Sequence, residues 1–368
     1  MLVETLRSSR RILFIAAALA LAAASAAHAA DSATDLDAWQ AAKLMGTGVN
    51  IGNTLDNTTY WETGWGNPRI TREFVQGLAA LGFKTVRLPV AWDTYASAGR
   101  IQPDKLKRVA EVVDWILDAD MFCVVNIHWD GGWIDSSPKE KYPGTFATFS
   151  AEAERKFPSY WNQIATHLAG RNQRLIFEAL NEETNFEGAG STRKAYETLT
   201  RVNQLFVDTV RKSGGNNANR LLIVTGYSTD ITKTVSKDFV LPTDSVPHKL
   251  LLSVHYYTPW QFVGMTEDAS WGKMQPTWGS AGDVSELNRL FDAMQEFSTR
   301  HDIPVFVGEF GVTDKKEKAS RVRWMSAVVD ATLSRRMVPI LWDTGGDVSR
   351  KAPYHASPAL QEVLGRHP

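Results

Sequence analysis

The sequence predicts an α/β fold, a single (β/α)8 barrel of the TIM type, and three observations support this prediction. Eight short apolar segments rich in Val, Ile and Leu recur along the chain, which is typical of strands buried on both faces of a parallel sheet. Amphipathic helical patterns lie between most of these segments. Strand followed by helix, repeated eight times within 368 residues, fits one closed barrel.

The predicted strands are the apolar segments in chain order: TGVNIGNT (47–54), TVRLPV (85–90), FCVVNIHW (122–129), LIFEALNE (175–182), RLLIVTG (220–226), LLLSVHYY (250–257), PVFVGEFG (304–311) and VPILWD (338–343). A doubly wound open sheet is the alternative fold. Such a sheet seldom has eight units, and its first strand normally leads into a glycine-rich phosphate turn. GVNIGNT lacks that spacing, so the closed barrel is favoured.

Helices are predicted where apolar residues recur every three or four positions. The segments are 70–82, 103–120, 196–215, 284–301 and 319–336. Gly82 fits a C-cap at the end of the first of them. We see no proline-, serine- or threonine-rich linker, so one catalytic domain is expected.

Residues 1–29 differ from the rest and predict a signal peptide. Arg7, Arg10 and Arg11 precede the apolar run ILFIAAALALAAASA, and AHA at 27–29 fits a cleavage site between small residues. A membrane anchor is the alternative interpretation, although the run is short for a span. We therefore expect residues 30–368 to form the barrel of a secreted or periplasmic monomer that does not bind a membrane after cleavage.

Charge and cysteine content exclude other classes of function. The formal net charge is −1, so no basic surface favours nucleic acid. The single cysteine, Cys123, lies in a predicted strand and is expected to be a core residue rather than a catalytic thiol. The histidines show neither HxxxH nor HExxH spacing, so we expect no metal and no cofactor.

Polar and aromatic residues gather at the ends of the predicted strands, where barrels of this type carry their chemistry. They are Asn53, Arg87, His128, Trp129, Asn181, Glu182, His255, Tyr257, Glu309 and Trp342. Each alone is explained equally well as a rim residue, but chance is a poor explanation for so many.

Glu182 and Glu309 end the fourth and seventh strands, and they meet only if the barrel closes. Two carboxylates across an aromatic-rich mouth suit glycosidic bond cleavage, in which one donates a proton and the other attacks or activates water. The acid is expected to have a raised pKa and the nucleophile a lowered one. Arg87 is the expected cationic partner of the nucleophile.

Tryptophan is abundant, with thirteen residues, and several follow predicted strands. These are Trp61, Trp65, Trp129, Trp133, Trp260, Trp271 and Trp278. A loop tryptophan offers a flat apolar face on which the C–H face of a sugar can rest while its hydroxyls stay hydrated. Packing of the loop onto the barrel is the equally open alternative for each of them.

The motifs resemble those of glycoside hydrolase family 5, in the clan of retaining (β/α)8 glycosidases related to cellulase A. The resemblance covers nearly all of the chain after residue 29 and rests on segments that occur in the family's order. They are GNTLDN with WETGWGNP, TVRLPVAW, VVNIHWD, LIFEALNEE, SVHYY, FVGEFG and ILWD. The first pair is similar to an endoglucanase and xyloglucanase branch.

The resemblance implies a role for each matching residue. Glu182 would be the acid/base, preceded by Asn181, and Glu309 the nucleophile. Arg87 would be the family's arginine, and His128 its third-strand histidine. His255 and Tyr257 would form the family's His-x-Tyr pair. Trp342 would be the tryptophan below the reacting sugar. The implied activity is retaining endo-β-1,4-glucan hydrolysis, with xyloglucan, mixed-linkage glucan, mannan or xylan as alternative substrates.

Two positions depart from the family pattern. Trp129 stands where a second histidine is common, and Glu183 stands where proline is common. We expect Glu183 to be a solvated rim residue whose charge could raise the pKa of Glu182. Glu178 shares a strand face with Glu182, so we expect it inside the barrel with a cationic or histidine partner.

Two other classes of function remain open from the sequence. One is a sugar-binding barrel without activity, which the presence of both glutamates disfavours. The other is a metal-dependent hydrolase, which activity in the presence of a chelator would exclude.

Overall fold

Eight parallel strands close into one barrel in the computed structural model, which describes residues 36–134, 149–183 and 191–367. The strands are β1 Gly48–Asn50, β2 Thr85–Leu88, β3 Phe122–Asn126, β4 Leu175–Glu178, β5 Leu222–Thr225, β6 Leu250–Tyr256, β7 Val305–Phe310 and β8 Val338–Leu341. Each predicted strand is present, and the predicted (β/α)8 barrel is confirmed. The observed strands end earlier than predicted, so most of the polar residues follow a strand rather than belong to it.

The helices surround the barrel and confirm the five predicted segments. They are α1 Ala38–Met45, α2 Arg72–Ala80, α3 Pro103–Asp118, α4 Ala151–Leu168, α5 Thr192–Lys212, α6 Ile231–Thr234, α7 Trp260–Val263, α8 Ala281–His301, α9 Lys318–Ser334 and α10 Pro358–Arg366. The sequence analysis missed α4, which contains Pro158, and the terminal helices α1 and α10. Only the four-residue α6 lies between β5 and β6, so one repeat lacks a full helix.

Short elements decorate the loops. Single 3-10 turns occur at Trp61–Thr63, Asp93–Tyr95, Gly215–Ala218 and Tyr227–Thr229. A two-stranded antiparallel hairpin, Ala96–Ser97 with Arg100–Ile101, lies between β2 and α3.

Strand β7 contains one more residue than the facing stretch of either neighbour. Against β6, Val254 pairs with Val307 and His255 pairs with Glu309, so Gly308 is the extra residue. The register against β8 shifts over the same stretch of β7. A bulge of this kind bends a strand and re-aims the side chain that follows, which here is Glu309.

The hydrophobic core is mostly aliphatic and aromatic, and Cys123 is completely buried in it. Burial raises the pKa of the Cys123 thiol, so it stays protonated, as a core cysteine should. Six polar side chains are also completely buried in the barrel strands: Asn50, Thr85, Arg87, Asn126, Glu178 and Ser253.

The predicted signal peptide, residues 1–29, lies outside the described residues. From Asp37 onward the chain forms one unit. Within the described ranges, no helix combines the length and the apolar character that crossing a membrane requires.

Candidate active site

An open cleft of about 850 Å³ lies at the carboxyl ends of the strands. Eight of the predicted site residues line it: His128, Trp129, Asn181, Glu182, Tyr257, Trp260, Glu309 and Trp342. Arg87 and His255 are buried and contact these residues through hydrogen bonds. The barrel thus brings ten of the eleven predicted residues together.

The eleventh, Asn53, lies in a turn after β1. Its φ of 56° is left-handed, a conformation that asparagine tolerates better than most residues. Its backbone N–H donates to Asp56 Oδ2 at 3.1 Å, and its backbone carbonyl accepts from the Asn67 side chain at 3.1 Å. Asn53 therefore shapes the turn beside β1, and its contact with substrate stays a prediction.

Glu309 is held by donors from two other strands. The Nη1 atom of Arg87 donates at 2.8 Å, and the hydroxyl of Tyr257 donates at 3.0 Å. His255 Nδ1 lies 3.6 Å away. Glu309 is 5% exposed, so one edge of its carboxylate is available to a ligand while the rest is fixed.

Arg87 connects Glu309, the predicted nucleophile, to the interior of the barrel. Its Nε donates to Glu178 at 2.6 Å and its Nη2 donates to Asn181 at 2.9 Å. Glu178 also accepts from the Ser253 hydroxyl at 2.8 Å. The expected cationic partner of Glu178 is therefore Arg87, and this pair aims the guanidinium at both Glu309 and Asn181.

Asn50 and Ser253 complete this network, and the sequence analysis missed both. The Asn50 side chain accepts from Arg87 at 3.0 Å and donates to the carbonyl of Gly308 at 2.9 Å, so it ties the arginine to the bulge of β7. The signal that revealed Glu178, a polar residue within an apolar strand, also applies to Asn50 in GVNIG and Ser253 in LLLSV.

Glu182 lies across the cleft from Glu309 in a more open position. Its side chain is 43% exposed, and one of its oxygens lies 2.7 Å from His255 Nδ1. Oxygens of the two glutamates and this nitrogen all lie within 4.8 Å of one another. His255 therefore contacts both carboxylates.

The pKa directions in the substrate-free site oppose the sequence-based expectation. Burial raises the pKa of Glu309, although His255 and Arg87 partly offset it. Burial also disfavours ionisation of Glu182, but the hydrogen bond and charge of His255 outweigh it and lower the pKa of Glu182. The expectation of a raised pKa for the acid, Glu182, and a lowered pKa for the nucleophile, Glu309, is therefore wrong for the substrate-free site.

Glu183 is 4% exposed, so the expectation of a solvated rim residue is also wrong. The peptide directs Glu183 into the protein while Glu182, its neighbour, faces the cleft. The charge of Glu183 is not among the influences on the pKa of Glu182, which come from burial, His255 and Arg87.

Two aromatic rings and a clamped loop form one wall of the cleft. The rings of His128 and Trp342 stack with centroids 5.7 Å apart and planes 7° from parallel. Burial and the nearby charges of Arg87 and His255 hold the pKa of His128 well below its usual range, so the ring is neutral.

The loop after His128 carries Trp129, whose side chain is 50% exposed. The next residue, Asp130, accepts hydrogen bonds from the backbone of Asp93 and from Thr94, which fixes this loop.

Trp260 forms the opposite aromatic wall. It is 51% exposed, and its ring meets Tyr257 edge to face at 6.5 Å between centroids. A Cβ at Gly264 would lie 2.5 Å from the Trp260 ring, so only glycine lets the indole rest on this backbone.

Glu182, His255 and Glu309 are spaced so that they could hold a cation. The Arg87 guanidinium, 2.8 Å from Glu309, already supplies a positive charge there and opposes a second one. The donor set thus favours acid–base and nucleophilic chemistry, and the absence of a metal stays a prediction.

The chain matches the family model of cellulases of glycosyl hydrolase family 5 over residues 45–347. It is 34% identical to endoglucanase A of Paenibacillus barcinonensis, with 91% of this chain and 89% of that protein covered. The Bacteroides ovatus xyloglucanase in complex with a XXXG heptasaccharide superimposes with a TM-score of 0.79 at 28% identity, over 90% of this chain and 77% of that one. A broad-specificity endoglucanase from Ruminococcus champanellensis with bound cellotriose gives 0.78 at 31%, over 90% and 98%.

Proposed function

Because the chain belongs to glycosyl hydrolase family 5 and is a glycosidase of the cellulase type, we propose that it is a secreted, retaining endo-β-1,4-glucanase. The observation that carries the proposal is the pair of carboxylates formed by Glu182, which follows β4, and Glu309 on β7. Their nearest oxygens lie within 4.8 Å, which fits the 5–5.5 Å spacing of retaining glycosidases rather than the roughly 6.5–9.5 Å of inverting ones.

In the first step, a carboxylate oxygen of Glu309 attacks the anomeric carbon and the glycosidic C–O bond breaks. Glu182 gives its proton to the departing oxygen. Arg87 and Tyr257 hold Glu309 in line for the attack, since both donate to its carboxylate. The product is a covalent glycosyl-enzyme and a shortened sugar chain.

In the second step, Glu182, now a carboxylate, takes a proton from a water molecule that attacks the same carbon. The bond to Glu309 breaks, and the configuration at the anomeric carbon is retained. The open setting of Glu182 suits this exchange, because leaving group and water approach it in turn.

Substrate binding supplies the pKa order that the free site lacks. The exposed part of Glu182 faces the cleft, so a bound sugar covers it and raises its pKa by further desolvation. Positive charge that develops at the anomeric carbon favours ionised Glu309 next to it. Bound substrate therefore favours the proton on Glu182 and the ionised form of Glu309.

The remaining predicted residues bind the sugar. Asn181, which accepts from Arg87 at 2.9 Å, binds the 2-hydroxyl in this proposal, and Trp342 carries the reacting ring. Trp129 and Trp260 offer flat faces on opposite walls. We propose a β-1,4-glucan as substrate because relatives named as endoglucanases and a cellotriose complex are similar to this chain. Xyloglucan is the second candidate, favoured by the heptasaccharide complex of the Bacteroides ovatus enzyme.

The test measures reducing-sugar release from carboxymethyl cellulose, xyloglucan, mixed-linkage β-glucan, mannan and xylan. Wild type is compared with Glu309→Gln and Glu182→Gln. We expect wild type to cleave β-glucans and both variants to lose activity by about 10²- to 10⁴-fold. Cleavage of mannan or xylan alone refutes the proposed substrate. Variants as active as an active wild type refute the carboxylate assignment, and no cleavage of any polysaccharide by wild type favours a binding barrel.

The stereochemical and metal predictions need separate measurements. NMR of the first product should show the β anomer, whereas an initial α product would require inversion and refute the double displacement. Activity should survive dialysis against EDTA, since Arg87 rather than a cation balances Glu309; loss that zinc or magnesium restores would support a metal-dependent hydrolase.

A further inference from the structure

Trp271 is the most exposed tryptophan among the described residues, at 64%. It lies in the loop between β6 and α8, at the end of the barrel that carries the carboxylates. Single exposed apolar residues are common on proteins, so exposure alone assigns no role. How the loop holds this residue, and where, is more informative.

The loop presents Trp271 at the tip of a tight turn. Ala269 and Gly272 exchange two backbone hydrogen bonds of 2.9 and 3.1 Å, which leaves Ser270 and Trp271 between them. The carboxylate of Asp268 accepts from Lys273 Nζ at 2.8 Å and from the Met274 amide at 2.9 Å, which closes the base of the turn. A ring on a fixed turn loses little freedom when it binds a ligand.

The turn packs directly against the helix that carries Trp260. A Cβ at Gly272 would lie 3.8 Å from Gln261 Nε2, and the Gln275 amide donates to the Gln261 carbonyl at 2.9 Å. Trp260 in turn contacts Tyr257, whose hydroxyl donates to Glu309. A continuous path therefore leads from the nucleophile through Tyr257 and Trp260 to the Trp271 turn.

We propose that Trp271 is a distal binding platform for a β-linked glucan chain that extends beyond the cleft. This inference rests on the proposed function, because it needs a polymer bound across the carboxylates. The indole faces solvent and can carry the C–H face of a sugar several units from the scissile bond. Trp271 thus favours long chains over short oligosaccharides without touching the reacting ring.

The test compares kcat/KM on soluble barley β-glucan with kcat/KM on p-nitrophenyl β-cellobioside, a short substrate with two sugar units. In Trp271→Ala we expect the ratio of polymer to short substrate to fall roughly 3- to 10-fold through KM for the polymer. Trp271→Phe keeps a flat ring and should retain most of the ratio. Leu44→Ala, which removes another exposed apolar side chain from α1, should leave the ratio as in wild type.

The outcomes separate this inference from the proposed function. If wild type hydrolyses β-glucan and Trp271→Ala has the wild-type ratio, the platform is refuted while the function stands. An equal fall on both substrates also leaves the ratio unchanged and refutes it. A Trp271→Phe ratio as low as that of Trp271→Ala refutes stacking. If wild type cuts no β-glucan, the proposed function fails first.

Discussion

The surroundings of Glu182 and Glu309, the two glutamates proposed to be catalytic, differ. Glu309 is 5% exposed and contacts Arg87, Tyr257 and His255. Glu182 has a side chain that is 43% exposed, and its oxygen lies 2.7 Å from His255 Nδ1. The difference fits the proposed chemistry, since a nucleophile must stay in one place while an acid/base meets a leaving group and then water.

The two settings also differ in what supports them. The contacts of Glu309 continue through Arg87 to Glu178 and Asn50, which are completely buried in the barrel strands. The support of Glu182 comes from a single ring at the barrel mouth. Substitutions of the residues that support Glu309 should therefore affect both the stability and the rate. Substitutions near Glu182 should mainly affect the rate and its pH dependence.

Glu178→Gln should have the largest combined effect among changes outside the catalytic pair. It removes the charge that Arg87 Nε contacts at 2.6 Å and leaves a buried guanidinium with one carboxylate fewer. We expect a loss of about 3 kcal/mol in the free energy of unfolding, the low end for a broken buried pair because Glu309 still balances Arg87. We also expect kcat to fall, since Arg87 loses the contact with Glu178 that fixes the orientation of its guanidinium toward Glu309 and Asn181. Urea unfolding and kinetics on β-glucan measure the two effects.

Asp244→Asn is the matched control. Asp244 pairs with Arg211 of α5 at 2.6 and 2.8 Å in a mostly buried position outside the cleft lining. Asp244→Asn should lower the free energy of unfolding and leave kcat at the wild-type value. If Glu178→Gln lowers stability but not kcat, then Glu178 is structural and does not position Arg87 for catalysis.

Gly308→Ala should have the next largest effect, by displacing the bulge that aims Glu309. A Cβ there would lie 3.1 Å from Ser253 Oγ and 3.2 Å from His255 Nε2, closer than ordinary contacts. Overpacking of this kind costs about 1–3 kcal/mol, and a small shift of Glu309 lowers kcat about 10- to 100-fold. Full activity in Gly308→Ala would show that the bulge does not control the position of Glu309.

The sequence predicted the barrel and most of the site, because apolar strands, their spacing and the polar residues at their ends are all local patterns. It missed α4, since Pro158 interrupts the helical pattern, and it placed Glu183 in solvent. It also missed Asn50 and the bulge at Gly308, because their importance depends on which strands are neighbours. The pKa order was wrong for a related reason: the contact between Glu182 and His255 joins β4 to β6, and its 2.7 Å distance is a tertiary property.

His255→Ala tests the more exposed glutamate, Glu182, through the pH dependence of the rate. The basic limb of kcat/KM reports the group that must be protonated, which is Glu182 in the proposed mechanism. His255 lowers the pKa of Glu182, so its removal should raise that pKa and move the basic limb to higher pH. We expect a fall of about tenfold in kcat, less than the roughly 10²- to 10⁴-fold contribution of the acid itself.

Tyr257→Phe is the matched control for this pH experiment. It removes a donor to Glu309 and leaves the contact between His255 and Glu182 in place. The basic limb should therefore keep its wild-type position in Tyr257→Phe. A basic limb that moves to lower pH in His255→Ala would refute the assignment of Glu182 as the acid.

Trp129→His should have the smallest effect, because it changes only the exposed wall of the cleft and restores the residue common in the family. Trp129 is 50% exposed, and the loop that carries it is fixed by Asp130 rather than by the indole. Loss of one stacking face should raise KM for β-glucan about 2- to 5-fold, with a smaller change in kcat. A fall in kcat as large as that of Gly308→Ala would mean that Trp129 positions His128 or Trp342, and the division between a fixed interior and a replaceable rim would then not hold on this wall.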